Sequence, residues 1–387
     1  MIKEGQITID CSLSNNKISE VSLTSSRPLE ITQKLLGSST ESFLETIPRV
    51  FSVCGIAQVV AAQRALTNQT ESPLIPKLIS GQDLLIKLET IREQVFRIGT
   101  QWPGLFDLPI PKLDFKRLND NFTRIKAQLF STGGEWHWHE LNDVNNSDIH
   151  SDISEIVDLI EVQLFNGNIA SWMDMVTLTD LDSWCKSNHC AISSVVTQIM
   201  YSDHVFIDVN MPSLEKVAPS NIELAAKFEG PASVGFVHAP QWHDQCCETG
   251  PAARLVHPLL SELSLRAEHT LLHRYIARLL ELAIQTNTLK SSRKLDEKAS
   301  ELSLSDGTGV AQIQAARGLL VHYAKVDDNI VKDYKILAPT EWNFHPEGLV
   351  AMGLKSLTAN ESSKLELYCR WFIESVDPCV AYELRIQ

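Results

Sequence analysis

Residues 6–13 (QITIDCSL) and 17–25 (KISEVSLTS) alternate apolar and polar side chains, with Asn15-Asn16 between them. Alternation with a period of two turns one face of each segment toward a core, so residues 1–26 are predicted as a hairpin. The spacing then becomes helical. PLEITQKLLG is predicted as a helix closed at Gly37, and Ser39-Thr40 as the cap of a second helix through Phe43 and Leu44. After Cys54-Gly55, IAQVVAAQRAL is rich in small apolar residues, which suits a tightly packed interior helix. Ser80 can cap a longer helix with Leu84, Leu85, Leu88, Ile91, Val95 and Ile98 on one face. The proline-rich stretch 101–113 reads as loop, and Leu118, Phe122, Ile125 and Leu129 as a helix face. Residues 131–152, with WHWHE and NDVNNSD, read as loop. Helical periodicity returns at 153–165 and is clearest from Leu259 to Ile284, while 318–337 reads as two strands joined at Asp327-Asp328-Asn329. No internal repeat appears. The fold class is predominantly α with small β hairpins (α+β), without the regular alternation of a doubly wound parallel sheet.

Charge and composition narrow the functions. The chain of 387 residues carries Lys+Arg 34 against Asp+Glu 48, a formal net charge of −14. Such an acidic chain is a poor generic binder of nucleic acid or of anionic membranes. The start, MIKEGQITIDCSL, lacks the basic and apolar regions of a secretory signal, and the longest apolar stretch, 53–62, is interrupted by Gln58 and too short to span a bilayer. No membrane insertion is expected, and the cytoplasm is the expected location. Eight scattered Cys fit a reducing compartment rather than a disulfide scaffold.

Chemistry must then come from a few side chains. His137 and His139 lack further ligands at fixed spacing, so an amphipathic loop is the favoured reading. Cys185 and Cys190 with His189, and the adjacent Cys246 and Cys247, fit no zinc spacing. No G-x-G-x-x-G, P-loop, G-x-S-x-G or H-E-x-x-H is present. Two cysteines differ in context: Cys54 at the mouth of the small-residue helix, and Cys379 in VDPCVAYELRIQ.

Their surroundings resemble the large subunit of nickel–iron hydrogenases. R-x-x-E is met as Arg27-Pro28-Leu29-Glu30, and the first cysteine motif as Cys54-Gly55-Ile56-Ala57, with Ala61 where the motif's His would fall. The middle motifs appear as His238-Ala239-Pro240-Gln241-Trp242 and Glu248-Thr249-Gly250-Pro251-Ala252-Ala253-Arg254. HRYIARLLEL at 273–282, Gln314-Ala315-Ala316-Arg317-Gly318 and Pro339-Thr340-Glu341-Trp342-Asn343 follow. The last motif is Asp377-Pro378-Cys379-Val380-Ala381-Tyr382-Glu383-Leu384-Arg385. The markers run in order from 27 to 385. They imply a single domain over 1–387: an N-terminal hairpin (1–26), a first-cysteine region (27–66), a helical and loop middle (80–230) and a C-terminal motif half (231–387).

The departures imply more than the matches. In the family four thiolates hold nickel and an iron bearing cyanide and carbon monoxide. Here the two bridging positions are Ala57 and Tyr382, and the two terminal ones remain as Cys54 and Cys379. Gln241 replaces the Arg beside the diatomic ligands, and Arg385 replaces a metal-ligating His. Glu30 occupies the position of the proton-transfer glutamate, where a helix-start carboxylate near Arg27 is an equal reading. The chain stops at Gln387, just past the final motif, so no nickel-dependent C-terminal processing is expected. Two thiolates are too few for the binuclear cluster.

The pattern is similar to degenerate large-subunit paralogues of the HupK/HoxV hydrogenase maturation type. That resemblance implies a non-enzymatic scaffold that transiently holds iron with its cyanide and carbonyl ligands. Its partners would be maturation chaperones and the large-subunit precursor, and no nickel is expected. Cys54 and Cys379 are the expected metal-binding pair. Because these positions hold nickel in the family's enzymes, iron here would sit in a different geometry, or Cys379 alone would engage it. A metal-free paralogue binding chaperones or a small subunit is the alternative. A divergent hydrogenase with other donors (Cys246, Cys247 or His238) and a quinone-site subunit of the respiratory type fit less well.

Overall fold

The computed structural model describes residues 5–15, 17–27, 31–51, 53–67, 76–130, 146–167, 169–202, 205–266, 269–291, 307–359 and 364–387. Glu30, His137 and His139 lie outside them. The described fold is predominantly helical with three small sheets, as expected.

The alternating N-terminal segments form the antiparallel pair β1 (Gln6–Ser14) and β2 (Lys17–Ser25). Ile7, Ile9 and Cys11 alternate into the core. Periodicity did not indicate that the last strand, β8 (Ala381–Ile386), pairs parallel to β1, with Gln6 opposite Ala381 and Cys11 opposite Ile386. This sheet therefore runs β2-β1-β8 and joins the two ends of the chain. A second sheet is the antiparallel meander β4 (Thr308–Ala315), β5 (Gly318–Asp327) and β6 (Ile330–Leu337). Its strand β4 was missed because it is buried on both faces, which erases the polar half of the alternation. The third sheet is the short pair β3 (Val205–Phe206) and β7 (Thr358–Ala359).

Six helices frame the site: α1 (Thr40–Val50), α2 (Gly55–Thr67), α3 (Pro76–Phe96), α4 (Thr270–Ser291), α5 (Pro339–Asn343) and α6 (Leu365–Val376). Ser39 caps α1 as expected, its side chain accepting from Ser42 N–H. In place of an α-helix, residues Ile31–Leu35 form a 3-10 turn closed at Gly37. Helix α3 starts at Pro76 rather than after Ser80, because proline is pre-organised for a first helical position. It ends in a π turn over Arg97–Gln101, and Trp102–Leu105, read as loop, is a short helix.

Helix Asn146–Gln163 begins within the stretch read as loop, since the sequence of its first turn, Asn-Ser-Asp, is polar and shows no apolar periodicity; Ile149 is buried. The helical run from Leu259 is two helices, Pro258–Leu263 and α4, with neither Gly nor Pro marking the break. Helix α4 is buried nearly all round, with Leu272, Tyr275, Ile276, Leu279, Leu280 and Ala283 in the core and the charged Arg274, Arg278 and Glu281 buried beside them. A large apolar cluster links α1 to α4, α6 and two of the sheets, and a smaller one gathers Phe228, Trp242, Tyr323 and Trp342 against β5. Among the described residues no helix is long and apolar enough to cross a membrane.

Candidate functional site

Strand pairing places Arg27 and Cys379 at one end of the first sheet. Ser26 N–H donates to Gln6 O (2.9 Å) while Gln6 pairs with Ala381, so Arg27, just past β2, meets Cys379, just before β8. Gly5 has no room for a side chain there: a Cβ would stand 2.4 Å from Arg27 Cα. Cys54 comes from elsewhere, directly before α2, which packs on β4 and β5. The sulfurs of Cys54 and Cys379 lie within electrostatic reach of each other, and both act on the guanidiniums of Arg27 and Arg317. The predicted pair is thus brought together at one site from opposite ends of the chain.

Each sulfur has a hydrogen-bond donor. Thr340 Oγ1 donates to Cys379 Sγ at 2.9 Å, and Gln58 Nε2 donates to Cys54 Sγ at 3.6 Å. Burial pushes the Cys54 thiol up to about 12, with the negative charge of Glu89 and of Cys379 adding to it, while Gln58 and Arg317 pull it back. Burial works against the charge of Arg27, but the carboxylate of Glu341 offsets it and keeps the guanidinium protonated. Arg317 is kept charged in the same way by Asp377 and Glu93.

Helix α5 organises this region through successive side chains. Thr340 holds Cys379, and Glu341 pairs with Arg27. Asn343 brackets Thr249, accepting from its N–H (3.0 Å) and donating to its carbonyl (2.9 Å). Thr249 Oγ1 in turn accepts from Leu319 N–H (2.8 Å), locking the turn that carries Arg317. Helix α3 and the π turn that follows it line the other side through Glu89, Glu93 and Arg97, four residues apart. The Glu89 carboxylate accepts from Ile56 and Ala57 N–H, both at 2.9 Å, closing the N-terminus of α2. Burial raises Glu89 to about 7 against the pull of those two N–H groups. Arg97 pairs with Asp377 and with Glu374 (2.7 Å). Asp377 also meets Arg278 (2.9 Å) and Arg317 (3.2 Å), and although burial opposes it, the three arginines hold it below the usual carboxylate range.

The other predicted positions fall around this centre. Ala57 is buried in the first turn of α2 and supplies only its backbone N–H. Tyr382 lies on β8, its hydroxyl engaged by Glu374 and Arg370. Arg385 is exposed on the same strand, paired with Glu383 (2.7 Å) and Asp10 (3.7 Å). Gln241 lies by a separate thiol, its Nε2 4.0 Å from Cys246 Sγ, which is 3.3 Å from His345 Nδ1. Among the described residues, no three His, Cys, Asp or Glu side chains are placed to share a metal ion.

Sequence reasoning assigned no role to Thr340, Glu341 or Arg317, though each lies in a quoted motif. Glu89, Gln58 and His322 were passed over. For Gln58 and His322 the signal was a polar residue inside an otherwise apolar run; Glu89 stands among Lys87, Thr90 and Arg92 and carried none.

The arrangement is that of a hydrogenase large-subunit shell with two thiols at its centre. The chain belongs to the nickel-dependent hydrogenase family, which matches residues 147–383. It is 25% identical to the hydrogenase expression/formation protein HupK of Azotobacter vinelandii, over 99% of this chain and 98% of that protein. It is 27% identical to the hydrogenase expression/formation protein HupV of Azotobacter chroococcum mcd 1, again over 99% and 98%. Among solved structures, the Ni-Fe-Se hydrogenase from D. vulgaris Hildenborough in the reduced state superposes with a TM-score of 0.62 at 15% identity. That match covers 95% of this chain and 94% of the other, and it speaks to the fold alone. The family resemblance carried by the sequence motifs is borne out.

Proposed function

We propose that this chain is an accessory protein of hydrogenase maturation, not itself a hydrogenase. It takes the iron–cyanide–carbonyl unit as cargo at Cys54 and Cys379 and passes it to the large-subunit precursor. The full-length similarity to proteins named for hydrogenase expression and formation supports the general role. The specific reading is carried by one observation: two soft sulfur donors share a site with the guanidiniums of Arg27 and Arg317. Thiolates suit a low-spin iron, and cyanide nitrogens are good acceptors for guanidinium N–H groups. Two sulfurs hold an iron less firmly than a four-sulfur cage, which suits a carrier that must release its load. Ala57 and Tyr382 offer no bridging sulfur, so nickel is not expected. The partners are the assembly chaperones that deliver the unit and the precursor that receives it. Thiols kept free for this chemistry fit a reducing cytoplasm.

A second reading, a metal-free paralogue that docks chaperones or a small subunit, draws on the hydrogen bonds already made to both sulfurs. Infrared spectra of the protein co-expressed with the maturation machinery separate the two. The carrier reading expects cyanide and carbonyl bands that disappear in the Cys54→Ser/Cys379→Ser protein. Bands that survive the double substitution refute it. A wild-type protein without bands that still supports hydrogenase maturation points to the second reading.

A further inference from the structure

Cys54 ends a chain of buried hydrogen bonds that is separate from the arginines. Gln58, one turn into α2, donates from Nε2 to Cys54 Sγ, and its Oε1 lies 2.9 Å from His322 Nε2 on β5. His322 Nδ1 lies 2.6 Å from the Tyr334 hydroxyl on β6. Gln58 is 1% exposed, and His322 and Tyr334 are 0% exposed. Water therefore cannot substitute for a missing partner.

The direction of the chain follows from the phenol. If His322 carried its proton on Nδ1, it would donate to the Tyr334 oxygen, and the buried phenol O–H would have no acceptor, a costly arrangement. Tyr334 therefore donates to Nδ1, Nε2 carries the imidazole proton and donates to Gln58 Oε1, and the Gln58 amide must turn its N–H toward Cys54. We propose that His322 is a positioning residue for Cys54, acting through Gln58 to present the sulfur with a fixed N–H donor. Such a donor lowers the charge a thiolate gives to a bound metal and so eases release. That consequence rests on the cargo reading above, whereas the relay itself belongs to the empty protein.

The test is the alkylation rate of Cys54 by iodoacetamide in the cargo-free protein at fixed pH, with Cys379 as internal reference. Losing an N–H donor disfavours the thiolate, and because nucleophilicity rises by less than the thiolate fraction falls, a net slowing of about threefold is expected. His322→Leu is expected to show it at Cys54 with Cys379 unchanged, and His322→Gln, which can still donate to Gln58, to restore the wild-type rate. A folded His322→Leu protein with an unchanged Cys54 rate, or with both cysteines slowed alike, overturns the proposal. If that protein does not fold, the imidazole 15N shifts of His322 in the wild-type protein decide: a proton on Nε2 supports the relay, and a proton on Nδ1 overturns it. No cargo is present, so this outcome is independent of the infrared result.

Discussion

His322 shows how one buried side chain converts surroundings into pH dependence. Burial pushes its imidazole down to about 3, against an ordinary value of 6.5, so the folded protein keeps it neutral. As pH falls below 6.5 the unfolded chain takes up the proton first, and stability is lost progressively toward pH 3 at about 1.4 kcal/mol per pH unit. Between pH 7 and pH 5 the wild-type protein should lose about 2 kcal/mol more than His322→Gln, read as the difference between their urea midpoints at the two pH values. An equal loss in both would mean that the imidazole is not the titrating group. At the same scale, Thr340 and Gln58 matter because each supplies, among the described residues, the one side-chain donor facing a half-buried sulfur.

Elements meet at the site through their ends. The turn between β4 and β5 carries Arg317 and closes against Thr249-Gly250 with no space to spare. Gly318 has φ +137°, and a Cβ there would lie 2.5 Å from Thr249 Oγ1. Gly250 mirrors it, with φ +123° and a Cβ position 2.8 Å from Arg317 O. Gly37 also has a positive φ, +85°, but open space around it. Gly318→Ala should therefore combine backbone strain with overpacking and cost about 3 kcal/mol or more, while Gly37→Ala should cost about 1 kcal/mol. Chemical denaturation of the two proteins checks the ranking. Equal costs would show that the contact with Thr249 relaxes freely.

At the scale of the whole molecule, buried charge ties distant segments together. Asp377, which opens the last motif, faces Arg97 after α3, Arg278 on α4 and Arg317 after β4. Removing one member of such a set leaves uncompensated charge in the interior, and breaking a buried pair costs about 3–5 kcal/mol. Asp377→Asn is the clean version. Asp377 sits at φ +71°, a left-handed conformation that asparagine tolerates, so only the charge is lost. A loss of that size is expected in thermal or urea unfolding. Breaking the exposed Lys116–Asp120 pair with Asp120→Asn should leave the unfolding midpoint nearly unchanged. Comparable losses would mean that water reaches Asp377.

The sequence by itself determined the class of fold, the N-terminal hairpin, most helices and the family, because these depend on local periodicity and on ordered short motifs. It also singled out Cys54 and Cys379 as the expected pair, through a resemblance that leaves Ala57 and Tyr382 at the other two positions. It could not place Glu89, Glu93 and Arg97 on the wall of the site, since α3 carries many charged residues and only packing decides which of them turn inward. Nor could it show that β8 lies parallel to β1, because parallel pairing leaves no turn signal and needs the whole chain as its connection. Only the tertiary structure decided that Cys379 and Arg27 share one sheet end and that Cys54, just before α2, lies near them. The donor to Cys379 comes from Thr340 on α5, and the donor to Cys54, Gln58, is itself held by His322 far along the chain, and burial makes that pairing obligatory.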